Sequence, residues 1–381
     1  MTKEIRSEIA VIGGGAGGLM TTKKLAELGY DIVLIDKAPT LCSGPSTKNE
    51  GWLHRGTVHS GVIKETDRAL KIAKRVIYGY EQIMSFAPEA VEDLTSATYA
   101  LFKDGALADA TEERWKEVDV WFQAMQLQAF FRENPEIDPN IVARAYKTKD
   151  KSLNFRLLYQ KLLAISEKLG VKTLLNTEVI PEEDGRATLV DDDGSRRPLF
   201  ADIFVFTTGL AARKIFSMMG YNLAVRFWKS HSIVIPKLTK NGFFFVDPLE
   251  ASIMPHGKYS LACQSEDDFQ IDEPTFEVVP HMAHQVFEAL VRMIPEADKY
   301  KDSYHSNACV KPDIIKGPSS PRSVDIELHE PMPNYFVAFP GKVTESPYMA
   351  DTVVHAIFDR KSDCKISQRP GDIIFDNDTT K

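Results

Sequence analysis

The first forty residues alternate apolar runs with breaks in a strand–helix–strand order. Residues 8–12 read as a strand, with Ile9, Val11 and Ile12 apolar. A glycine turn follows at 13–18. Leu19, Met20, Leu25 and Leu28 then recur near a 3.6 period, which predicts a helix over 16–28 with Gly29 as its stop. Residues 31–35 form a second apolar strand that ends on Asp36. A βαβ unit of this kind implies a parallel sheet.

The pattern breaks over 41–59, a stretch of glycines, small polar residues and two histidines. Loops that long within a compact body are often functional. Helical periods return over 64–86 (Leu70, Ala73, Ile77, Tyr80, Met84) and 111–125 (Trp115, Val118, Phe122, Met125). Leu158, Leu162, Ile165 and Leu169 line a further helix that stops at Gly170. Strands are expected at 171–175, 187–190 and 200–206, the last running into Thr207-Thr208-Gly209. Four short strand-like runs (232–236, 243–246, 252–254 and 259–263) point to an antiparallel sheet. A helix over 276–294, a strand over 335–339 and a helix over 347–358 complete the pattern. The expected fold class is therefore α/β, with a Rossmann-like dinucleotide-binding domain and an inserted α+β domain built on an antiparallel sheet. The first domain is discontinuous, over 1–75, 150–220 and 325–360. The second takes 76–149 and 221–324, and 361–381 is a polar tail.

Composition narrows the class. Apolar residues make up 43% and charged residues 26% of the 381, which excludes wholesale disorder and fibrous classes. No apolar run approaches the roughly 18 residues of a membrane-spanning helix. The first strand begins close to Met1, leaving no room for a secretory leader, so a cytoplasmic location is expected. The net charge of -8 gives no support for nucleic-acid binding. Cys42, Cys263, Cys309 and Cys364 are widely spaced, against a zinc knuckle or a disulfide scaffold, and no metal site is expected. A small-molecule substrate remains.

The strongest chemical signal is Gly13-Gly14-Gly15-Ala16-Gly17-Gly18. Placed between a strand and a helix, it fits the dinucleotide fingerprint. Gly13 permits the tight turn, Gly15 lets a pyrophosphate approach the backbone, and Gly18 lets the helix pack on the strand. The helix start beyond Ala16 favours phosphate. Asp36 can accept hydrogen bonds from ribose hydroxyls, with Lys37 beside it.

The segment 44–56, GPSTKNEGWLHRG, resembles the loop after the second strand in FAD-dependent oxidoreductases of the D-amino-acid-oxidase superfamily. It is most similar to the L-2-hydroxyglutarate oxidase and glycerol-3-phosphate dehydrogenase branches, which carry an Asn-Ser-Gly-Val-Ile-His-like stretch. Asn49, Gly51 and His54 match that spacing, while Glu50 and Trp52 depart. The strand ending in Thr208-Gly209, the position of Val179, and Pro340-Gly341-Lys342-Val343-Thr344 resemble further cofactor segments of the family. The resemblance implies FAD as cofactor. It implies flavin-side contacts from Ser46, Thr47, Asn49 and Gly51, an adenine contact at Val179, and Gly341–Thr344 at the flavin's pyrimidine edge.

His54 is the candidate base, since imidazole titrates near neutrality. A structural histidine, or a covalent flavin link, are its alternatives. Cys309-Val310-Lys311-Pro312 resembles the family's Gly-x-Arg-Pro segment, where arginine grips an anionic substrate group. Here Lys311 offers a point charge instead. His231, His256 and Tyr259 are further candidates for the substrate wall. The resemblance implies hydride transfer from a CH–OH carbon, in a small anionic hydroxy acid or polyol derivative, to flavin N5. The alternatives are a CH–NH (amine) oxidase and a flavoprotein without turnover.

Overall fold

The computed structural model describes residues 4–361, except 64, 93, 222–223, 248, 265–268 and 316–323. The expected βαβ unit is Ile5–Ile12, Ala16–Glu27 and Ile32–Ile35. It sits at the centre of a sheet whose order is Glu327–Met332, Tyr335–Phe339, Arg196–Phe206, Ile5–Ile12, Ile32–Ile35, Lys172–Leu174. Only the Glu327–Met332 edge runs antiparallel in that path. The long strand Arg196–Phe206 also carries, on its first half, the antiparallel pair Arg186–Asp191 and Thr177–Pro181.

Alternation along the strands sends side chains to two cores, as a pleat of period two requires. Ile9, Val11, Leu34, Ile203 and Val205 pack under Ala16–Glu27, Phe155–Lys168 and Ser346–Lys361, through Leu19, Leu162 and Val353. Ala10, Ile12, Val33, Phe204 and Phe206 meet Ile215 and Phe216 on the other face. Burial on both faces explains the unbroken apolar runs Ile32–Ile35 and Ile203–Phe206.

The second sheet has nine strands, in the order Phe269–Ile271, Val225–Pro236, Tyr259–Gln264, Ala251–His256, Gly242–Phe245, Thr98–Phe102, Arg144–Thr148, Phe122–Ala124, with His305–Ile314 also paired to Val225–Pro236. It is antiparallel except where Gly242–Phe245 runs parallel to Thr98–Phe102. A two-stranded ribbon, Trp52–Leu53 with Lys151–Ser152, stands apart.

Three expectations are corrected. The helix expected over 111–125 is Gly105–Glu117, capped by Asp104, whose Oδ1 accepts the Ala106 N–H at 2.8 Å. Asp119 at φ +55 turns the chain, and Phe122 reaches Trp115 from a strand, ring centroids 5.2 Å apart, rather than along one helix. The helix expected from 276 starts at Pro280, the first-turn position where a missing N–H costs nothing. The 41–59 loop holds short elements, among them Pro45–Thr47 and Trp52–Leu53, and leads into helix Thr57–Val62. Of the helix expected over 64–86, residue 64 and the polar tail beyond 361 lie outside the described residues, and the helix itself is Thr66–Phe86. Among the described residues no helix is long and apolar enough to cross a membrane.

Candidate functional site

The glycine turn is held from behind. Gly13 has φ +101, and its N–H donates to the Ile35 carbonyl at 2.8 Å. Thr207 Oγ1 donates to the carbonyls of Gly13 (2.7 Å) and Ile12 (3.1 Å), clamping the end of one strand to the end of its neighbour. A Cβ on Gly18 would stand 1.8 Å from the Gly13 carbonyl oxygen, so only glycine allows this helix–turn packing. Gly15 is the helix N-cap, with no side chain, and the first turn holds no acid. Such an end favours an anion. Asp36 Oδ2 accepts the Gly14 N–H at 2.6 Å and Oδ1 the Ala38 N–H at 2.8 Å. A carboxylate has about four acceptor sites, so Asp36 keeps capacity for hydroxyls.

A cavity of about 420 Å³ runs along this turn and under the second sheet. Its walls include Gly13, Gly15, Ala16, Asp36 and Lys37 from the βαβ unit. Ser46 and Asn49 join them from the loop, as do Val179, Thr208 and Gly209 from strand ends. The turn Gly341, Lys342, Val343 and Thr344 closes the far end, with His54 and Lys311. The volume and the mix of apolar wall with a few convergent polar groups suit a ligand site. Ser46 Oγ accepts the Ala16 N–H at 3.0 Å, and Asn49 Nδ2 donates to the Ser46 carbonyl at 2.9 Å, which holds the loop on the helix start.

Gly18 packs the helix on the turn as expected. Two residues expected at the cofactor stand behind the wall instead. Thr47 Oγ1 donates to the Cys42 carbonyl at 2.9 Å. Gly51, at φ +70, abuts the His256 ring, which a Cβ would approach to 2.2 Å.

His54 ends the short strand Trp52–Leu53. Register explains its partner: Leu53 pairs with Lys151, so Asp150 stands opposite His54. His54 Nδ1 lies 3.7 Å from Asp150 Oδ1, beyond hydrogen-bond distance. Asp150 is fully buried and accepts the Arg55 N–H at 2.8 Å and the Thr57 hydroxyl. Burial alone would raise its pKa, but His54, Thr57 and the Arg55 amide together hold it below the usual carboxylate range, hence ionised. His54 lies edge-on to His59, with ring centroids 4.6 Å apart, and its backbone N–H donates to Thr344 Oγ1 at 3.2 Å. Its pKa falls below the ordinary value. Burial is the main cause, Asp150 opposes it, and Lys342 adds to it. The imidazole is therefore neutral at neutral pH. Asp150 had no signal in the sequence: it sits in the polar run TKDK, and only strand pairing brings it to His54.

Lys311 reaches the cavity from His305–Ile314, a strand paired along its whole length with Val225–Pro236. Its Nζ donates to Ser230 Oγ at 2.8 Å and lies 3.5 Å from Glu50 Oε1. Glu50 also lines the cavity. It is one of the two residues that depart from the family motif, and the departure was its only signal.

The other substrate candidates are elsewhere. His231 is buried between strands, and its Nε2 accepts the Val279 N–H at 3.0 Å. His256 binds Ser152 Oγ through Nδ1 (2.9 Å) and the Glu50 carbonyl through Nε2 (3.2 Å), anchoring the loop from outside the cavity. Tyr259 is at the surface, 45% exposed. Cys309 lines the cavity and is buried. Among the described residues no group of three or more His, Cys, Asp or Glu could hold a metal ion.

A family model described as DAO, FAD dependent oxidoreductase, matches residues 8–355. No curated protein matches this sequence. Among solved structures, the chain is similar in fold to glycine oxidase from Geobacillus kaustophilus, with TM-score 0.75 and 15% identity over 96% of this chain and 100% of that one. It is similar to L-alpha-glycerophosphate oxidase from Mycoplasma pneumoniae, dithionite-reduced with FAD bound, with TM-score 0.76 and 14% identity over 96% and 97% of the two chains. L-proline dehydrogenase from P. horikoshii gives TM-score 0.75 and 16% identity over 94% and 95%. At such identities the fold alone is shared.

Proposed function

Because the chain belongs to the family of FAD-dependent oxidoreductases, matched over residues 8–355, we propose that it oxidises a CH–OH carbon in a small anionic hydroxy acid or polyol derivative. The observation that carries this reading is His54 on the cavity wall with the buried carboxyl of Asp150 behind it. An alcohol holds its proton tightly, so its oxidation needs a base at the hydroxyl. A free amine already has a lone pair, whereas an ammonium must first give up a proton.

The residues fit the cofactor. The bare helix start at Gly15 suits a pyrophosphate, Asp36 keeps acceptor capacity for ribose, and the 341–344 turn supplies a lysine at the far end. Val179 reads as the adenine contact, and Ser46, Asn49, Thr208 and Gly209 as flanking walls. When bound, FAD supplies the two-electron acceptor. This chain does the rest. Nδ1 facing Asp150 leaves Nε2 as the basic atom of His54, positioned to take the substrate's hydroxyl proton. Asp150 then stabilises the imidazolium. Lys311 holds the substrate's anionic group, and the buried walls exclude water. The first sheet with its helices reads as the cofactor body, and the second sheet as the substrate body.

One observation favours the amine reading. Glu50 lies beside Lys311, so a substrate bearing both an ammonium and a carboxylate would meet opposite charges on both. Anaerobic bleaching of the bound flavin against matched hydroxy acids, polyol phosphates and amino acids tests both. Reduction by hydroxy compounds is expected. Reduction by amines alone would replace the first reading with the second.

A further inference from the structure

Directly behind the turn that closes the cavity lies a carboxyl group that the reaction above does not use. Glu345 is fully buried, and neither of its side-chain oxygens makes a hydrogen bond. A Cβ on Gly341, which lines the cavity, would stand 2.8 Å from Glu345 Oε2. The carboxyl is thus one residue's thickness from the cavity. Buried carboxyls are rare unless paired, and this one has only loose partners.

The groups around it can be named by element. Arg75, on helix Thr66–Phe86, places Nε 3.6 Å from Oε1, but Arg75 is shared with Asp325, which accepts its Nη2 at 3.1 Å. Arg68 on the same helix also faces Asp325, at 3.6 Å. Lys342 comes from the turn itself. On the last helix, Tyr348 lies by Arg75, and Asp351 is bound by Tyr78 and Lys24. The positive charge near Glu345 is therefore largely claimed elsewhere. Burial is the leading effect and pushes its pKa up to about 8. Arg75 and Lys342 pull it down, and Asp325 adds to the rise.

We propose that Glu345 is a proton-holding positioning residue whose charge state sets how readily the 341–344 turn receives the negative charge of reduced flavin. The inference rests on the placement of the flavin's pyrimidine edge at that turn. Two-electron reduction by a hydride adds one negative charge to the flavin. Where Glu345 is already protonated, it adds no negative charge of its own beside Lys342. Where Glu345 is ionised, reduction brings one proton from solvent onto its carboxylate: the reductant supplies both electrons, and solvent supplies the proton. Reduced flavin and an ionised Glu345 are thus mutually unfavourable.

The test is the midpoint potential of the FAD-loaded protein, titrated with dithionite and indicator dyes across neutral to alkaline pH. One proton taken up per two electrons changes the equilibrium tenfold per pH unit, about 30 mV. For the wild type that slope is expected up to about pH 8, and roughly twice that slope above it. Glu345→Gln and Glu345→Leu should match the wild type at neutral pH and keep the shallow slope in alkali. Glu345→Asp should retain a break, displaced in pH. Lys342→Met should lower the potential at every pH. Superimposable wild-type and Gln profiles, with Lys342→Met still shifted, would overturn the role of Glu345 alone. An unshifted Lys342→Met would refute the flavin placement and the proposal with it. Loss of flavin from both neutral variants would make Glu345 part of the fold's framework and overturn the proposal as well.

Discussion

Replacing Asp150 by Asn tests the base most sharply, because the change alters charge without altering shape. Asp150 accepts from the Arg55 amide and the Thr57 hydroxyl, and it faces His54 Nδ1 at 3.7 Å. Asn keeps one acceptor oxygen and replaces the other with an NH₂, so one of the bonds from the Arg55 amide and the Thr57 hydroxyl is lost or must reverse. Hydrogen bonds to a charged group are worth about 1.5–3 kcal/mol each, so a stability loss of about 2–4 kcal/mol is expected. The kinetic effect has two parts with opposite appearance. The imidazolium loses its counter-charge, so flavin reduction slows, by about tenfold up to the 100- to 10,000-fold cost of losing a base outright. Asp150 also raises the His54 pKa against burial and Lys342. Its removal lets that pKa fall further. The rate rises as His54 loses its proton, so the acid limb of the profile moves to lower pH while the plateau drops. Anaerobic stopped-flow reduction across pH measures both. A variant with a slower plateau but an unmoved limb would show that Asp150 only supports the fold, and an unchanged profile would remove it from the site.

Other consequences follow from single contacts. Lys311→Met should raise KM for an anionic substrate at least about tenfold more than for a neutral analogue, consistent with losing a charge-assisted contact; equal effects on both would end the anion-binding role. Glu50→Gln frees Lys311 from a partner 3.5 Å away, and simple anions should perturb the flavin spectrum with roughly fivefold lower Kd, the worth of about 1 kcal/mol for a part-exposed pair. Weaker anion binding in Glu50→Gln would instead make the glutamate a support for the loop. Gly15→Val should abolish FAD retention, since a Cβ there already meets Ser46 Oγ at 3.0 Å and the branches would fill the pyrophosphate's approach; a yellow purified variant would contradict this.

The first sheet was legible because its signals are local. Gly13 to Gly18 and Asp36 lie within one βαβ unit, where spacing and conformation settle the geometry together. Tyr335–Phe339 declared itself by an unbroken apolar run, as buried parallel strands do. The second sheet was not legible to that degree. His305–Ile314 holds a lysine, a proline and an aspartate, and is a strand because Val225–Pro236 pairs along its length. Asp150 meets His54 only through a two-residue ribbon joining segments ninety-odd positions apart. Histidines 231 and 256 were eligible by chemistry. Tertiary packing gave His231 the Val279 amide and His256 the Ser152 hydroxyl and the Glu50 carbonyl as partners, which the residue types alone do not reveal.

The central claim is that His54 takes a proton from the substrate at the flavin. The most direct measurement is the rate of anaerobic flavin reduction, over a range of pH, in FAD-loaded wild type and His54→Ala. The account predicts that the variant retains FAD, reduces it roughly 100- to 10,000-fold more slowly, and loses the rise in rate that accompanies deprotonation of the histidine. His54→Gln should recover little of that rate, since it restores a hydrogen bond but no proton uptake. A His54→Ala protein that is reduced at the wild-type rate with the wild-type pH profile would contradict the claim and return His54 to a structural role.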